Sequence, residues 1–72
     1  MDKEQSLNAI RANLQPVYSY LHKGNQEVLQ AMEAVDEGNL NGAVGAILDL
    51  PDRLDGAKTF CDAILRIHRN SR

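Results

Sequence analysis

Along the first third of the chain, Leu7, Ile10, Leu14, Val17 and Leu21 recur at alternating steps of three and four. At about 100° per residue these five span an arc of about 80°, the narrow seam of an amphipathic helix. Pro16 removes one backbone hydrogen bond and crowds the carbonyl four residues earlier. The apolar phase nevertheless runs through it unbroken, and Pro16 projects about 140° from the stripe centre. One helix over about residues 3–23, kinked at Pro16, is therefore expected. Lys23 and Gly24 close it as a basic last turn and a C-cap glycine.

Three further helical segments follow. Asn25 is a good N-cap, and Val28, Leu29, Met32 and Val35 form the apolar face of a helix over 26–37 that Gly38 ends. Glu33, Asp36 and Glu37 crowd its last turns, where the helix dipole disfavours negative charge, so a cation from elsewhere is needed there. Ala43, Val44, Ile47 and Leu48 mark a weak helix over 41–49, since Gly42 and Gly45 each cost about 1 kcal/mol relative to alanine. In the last helix, over 53–69, Leu54, Ala57, Phe60, Cys61, Ile64, Leu65, Ile67 and His68 spread over about 160° of circumference. That face is too wide for one neighbour, which makes this helix the centre of a core or a surface covered by a second subunit. Residues 70–72 are expected to form a loose tail. The fold class is all-α: a single domain over 1–72, built as a helical hairpin or a compact bundle of three to four helices.

Size sharpens this picture. A chain of 72 residues buries only about 60% of its unfolded surface and usually needs a staple. Its single cysteine, Cys61, excludes an internal disulfide, which leaves self-association or a partner and makes a homodimer the expected form. The residues from Met1 to Gln5 are charged and lead into no long apolar segment, so a cytoplasmic protein without membrane contact is expected. The net charge of −2 is unevenly spread: Gln26 to Asp62 holds eight acids against Arg53 and Lys58, whereas Arg66, Arg69 and Arg72 follow. Glu33, Asp36 and Glu37 are a candidate acidic surface for a basic partner, and the three arginines are candidate phosphate contacts.

Catalytic equipment is sparse. The sequence has no glycine-rich phosphate loop and no spacing of histidines or cysteines that suits a metal, and no cofactor is expected. Cys61 and His68 share a helix face but lie two turns, about 10.5 Å, apart, whereas a nucleophile and its base must approach to about 3 Å. Cys61 reads as a small core hydrophobe and His68 as a partner of the helix dipole. The chain is not expected to be an enzyme.

Gln30, Ala34, Gly38, Val44 and Ile47 stand at spacings that resemble the helix-turn-helix signature of bacterial and phage regulators, which implies DNA reading. Glu33, Glu37 and Asn39 depart from it where that family buries aliphatic side chains, and Asn41 to Asp49 offers no Arg or Lys to phosphate or guanine. Ala31, Gly38, Ala43 and Ile47 likewise resemble one tetratricopeptide repeat, but the aromatic positions and a second copy of the period are missing, and solenoids need about three repeats.

Tyr18 and Tyr20 are two of only three aromatic residues. Tyrosine is enriched at interfaces because it joins a large contact area to a polar tip. With Tyr20 expected to project outside the seam, Val17, Tyr18, Tyr20 and Leu21 form the candidate protein-binding patch. The function expected is that of a small protein-binding adaptor or inhibitor which occludes a partner such as a regulator, antirepressor-like and of the kind phages and plasmids carry. The alternative is a small nucleic-acid-binding transcriptional regulator using the arginine-rich C-terminal tail.

Overall fold

A computed structural model describes residues 2–70. Three helices follow in order, α1 (Lys3–Asp36), α2 (Leu40–Ala46) and α3 (Leu50–Asn70), with no strand among the described residues. The all-α expectation holds. The helix boundaries differ: the two helices expected over 3–23 and 26–37 are one, and the two expected over 41–49 and 53–69 become 40–46 and 50–70.

Local chemistry accounts for each terminus. Asp2 caps α1, its side chain accepting from the Gln5 amide at 2.8 Å, and Asn39 caps α2 by accepting from the Gly42 amide at 2.8 Å. At the end of α1 the Asn39 amide donates to the Ala34 carbonyl and the Gly38 amide to the Val35 carbonyl. The first of these bonds requires the left-handed conformation that Gly38 adopts at φ 72°. Pro51 lies in the first turn of α3, where its missing amide leaves no helical bond unmade.

Gly24 does not end a helix. It is buried inside α1, and a Cβ there would stand 3.0 Å from Leu50 Cδ1 and 3.9 Å from Arg53 Cβ. Its missing side chain serves the close approach of α3. Gly56 does the same from the other side: a Cβ there would lie 2.6 Å from Cζ of Tyr20, whose ring also stacks on Phe60 with centroids 6.2 Å apart. Arg53 Nε reaches Glu27 Oε1 at 3.3 Å. Numbers that rise along α1 thus fall along α3, so the two helices are antiparallel, and α2 packs on the end of α1 beyond the reach of α3.

The result is a thin rod, not a compact bundle. It measures 54 × 14 × 12 Å and its radius of gyration is 16.6 Å, against about 11 Å for a compact domain of this length. Among the described residues the buried apolar side chains are Ala43 and Ala57 alone. Cys61, expected in the core, is exposed, because it lies about 100° around α3 from the line that meets α1.

The glycines give a direct check by urea unfolding. Gly56→Ala should destabilise by about 1–3 kcal/mol through overpacking against Tyr20, and Gly38→Ala by about 1–2 kcal/mol through its backbone. Gly45→Ala, with no atom within 4 Å of the new Cβ, should stabilise by about 0.5–1 kcal/mol.

Candidate functional site

The face that α1 turns to α3 and α2 carries Ser6, Ile10, Asn13, Val17, Tyr20, Gly24, Glu27, Ala31 and Ala34, all buried or half-buried. This line mixes small and polar residues with few large apolar ones. About 75° around the helix runs a second line at steps of seven, Leu7, Leu14, Leu21, Val28 and Val35. Leu7, Leu14 and Leu21 remain 51%, 50% and 48% exposed. The seam expected from the sequence is therefore split, with Ile10 and Val17 turned inward and the leucines left outside.

Antiparallel packing decides which residues of α3 share that outer flank. Helical geometry brings Leu54, Cys61 and His68 to the same side as the leucines, with Leu65 one step further out. Leu54 and Leu65 are exposed, as is Cys61. The opposite side of the hairpin is polar: Pro16, Ser19, Tyr20, Lys23 and Arg53 line a shallow depression there, and by the same geometry Asp52, Thr59 and Arg66 lie on that side of α3. The hairpin is thus one layer with an apolar and a polar face.

The candidate patch divides accordingly. Tyr18 and Leu21 are exposed on the apolar side, and Tyr18 stacks on His22 with ring centroids 5.7 Å apart. Tyr20 does not project into solvent as expected. It fills the space above Gly56 and against Phe60, so its ring belongs to the helix–helix contact, and Val17 is half-buried beside it. Sequence reasoning placed the face of α1 from its leucines, and the signal that corrects it is Gly24, which falls in register with Ile10, Val17 and Ala31.

Glu33, Asp36 and Glu37 gather at the turn end, near the exposed Val35, Leu40, Val44 and Leu48, and the last turn of α1 holds no basic residue. Arg66 and Arg69 lie at the other end of the rod, and Arg72 lies outside the described residues. Asp62 sits in the field of both arginines. Its carboxylate is held below the usual range, first by the hydrogen bond from Lys58 at 2.8 Å, which in turn raises the Lys58 ammonium. Among the described residues no group of three or more His, Cys, Asp or Glu is placed to hold a metal ion, and no helix is long and apolar enough to cross a membrane.

No known family, curated protein or solved structure matches this chain.

The two tyrosines should separate cleanly in unfolding experiments at concentrations where the chain is monomeric. Tyr20→Ala is expected to cost about 1–3 kcal/mol, the lower part of the range for large-to-small changes because the ring is half-buried. Tyr18→Ala should stay within about 0.5 kcal/mol of the parent. Under the same conditions Cys61 should react with a thiol reagent at close to the rate of a free cysteine.

Proposed function

We propose that this chain is a small non-catalytic protein-binding module, an adaptor or inhibitor whose working surface is the apolar flank of the hairpin. The observation that carries the reading is the inversion of the two lines on α1. Serine, asparagine, glycine and glutamate occupy the contact within the chain, while three leucines and two valines at steps of seven are left outside. Burial of a whole leucine side chain is worth about 1.5–3 kcal/mol, so each half-exposed one forgoes about 1 kcal/mol that a covering protein surface recovers. Contiguous exposed apolar surface of this kind marks an interaction site. The covering surface is a second subunit or another protein, which Tyr18 and Leu21 contact at the middle of the flank. The acid-ringed turn end, with Glu33, Asp36 and Glu37, suits a basic partner.

The nucleic-acid reading draws on Arg66 and Arg69. Both sit near Asp62, and the acidic turn half repels a long polyanion, so this reading has the weaker support.

A binding assay at two ionic strengths separates them. Immobilised wild-type chain should retain protein, either added copies of itself or a component of a cell extract, and raising salt from about 50 to 200 mM should change this by less than about 10-fold. A contact through several phosphates should lose about 10³-fold or more over that range. The double substitution Leu14→Glu and Leu21→Glu should abolish retention. Unchanged retention by that variant, or steeply salt-sensitive binding of duplex DNA or RNA by the wild type, would count against the proposal.

A further inference from the structure

Given the reading of the flank as a protein-binding surface, on which this step rests, we infer that the missing layer is a second copy of the same chain. It lies antiparallel, about a two-fold axis that passes between Leu14 and Leu21 on α1 and at Cys61 on α3. Three independent observations support this.

The first is area. The chain exposes 5575 Å², whereas a folded monomer of 8.0 kDa exposes about 4,450 Å². The excess, about 1,100 Å² per chain, is comparable with what one protomer hides in a homodimer that buries about 2,200 Å². Two stacked hairpins make a four-helix layer pair with an apolar interior, the arrangement that a one-sided layer lacks.

Charge sets the direction. The turn half of the rod, residues 26–56, holds seven acids against Arg53 alone, whereas residues 2–25 and 57–70 hold six cations against three acids. With the axis at Cys61, antiparallel stacking brings the start of α3, with Asp52 and Asp55, level with Arg66 and Arg69 of the other copy, whereas parallel stacking superposes like on like.

The third observation is that both lines are self-complementary about one axis. With the centre midway between Leu14 and Leu21, Leu14 meets Leu21 of the second copy and Leu7 meets its Val28. The contacts of Tyr20 with Phe60, and of Gly24 and Glu27 with Arg53, put Tyr18 level with Cys61. The same axis therefore passes α3 at Cys61, which meets its own copy, while Leu54 meets His68. The self-matching of a single patch is what a two-fold interface demands. The steps of seven suit the slight left-handed supercoil of such bundles. Beyond residue 32 of α1 the turn end overhangs the second copy, leaving Val35, Leu40, Val44 and Leu48 free at each end of the pair.

Sedimentation of the purified chain at micromolar concentration should give twice the chain mass. Leu14→Glu and Leu21→Glu should each raise the dissociation constant by about 30-fold or more. Orientation is read by thiol linkage in a Cys61→Ser background, which does not depend on either glutamate variant folding. A mixture of Leu7→Cys and Val28→Cys chains should be joined by a short bis-maleimide, whereas Leu7→Cys alone should not, its two copies being about 31 Å apart. In the parental chain Cys61 should join to Cys61. Linkage of Leu7→Cys to itself overturns the antiparallel arrangement. A monomeric pure chain overturns the inference. If that monomer still retains an extract protein through Leu14 and Leu21, the covering layer is another protein and the binding-module reading stands; if it retains nothing, both fail.

Discussion

The rest of this molecule depends on which face α1 turns to α3. Close approach is possible only where side chains are small, and Gly24 and Gly56 supply that space along the line of Ile10, Val17 and Ala31. Tyr20 locks the choice by lying over Gly56 and against Phe60. Once this line is taken, Leu7, Leu14 and Leu21 stand about 75° away and remain about half exposed. The hairpin gains one well-fitted contact and leaves its most apolar line uncovered. An isolated rod of this kind, with no large side chain fully buried among the described residues, has little to set against the conformational entropy of ordering its residues.

That constraint also explains the chemistry of the two faces. Charged residues of α3 such as Asp52 and Arg66 lie on the polar side, where they remain hydrated without loss, and the apolar side has few charges. Lys58 and Asp62 pair on the surface of α3, largely open to solvent, and add little to stability there. The uneven charge along the rod acts differently. It does not hold the hairpin together, but it distinguishes the two ways in which a pair of rods can stack.

Much of the fold was legible in the sequence because helical spacing is a local property. The helix stop at Gly38 follows from residue type, and the apolar spacing carries the helical phase through Pro16. What was not legible is the direction each face takes, which depends on a partner distant in sequence. Gly24 read as a terminator because glycine commonly ends helices, whereas here it is the point where two helices touch. Cys61 read as core because the whole face of about 160° was taken to be covered, whereas α1 covers only part of it. Tyr20 was placed outside a seam drawn through the leucines, and it moved inward when the seam rotated. Tyr18 and Leu21 kept their exposed place, since they lie on the side away from the glycines.

The claim that covering the apolar flank supplies much of the chain's stability makes unfolding depend on concentration. Thermal unfolding followed by circular dichroism at about 1 and 100 μM is the direct test. Coupled folding and pairing shifts the free energy by about 2.7 kcal/mol over that range, which should raise the midpoint by about 5–10 °C. A midpoint that is high and identical at both concentrations would mean that the single layer is sufficient by itself, and would contradict the account.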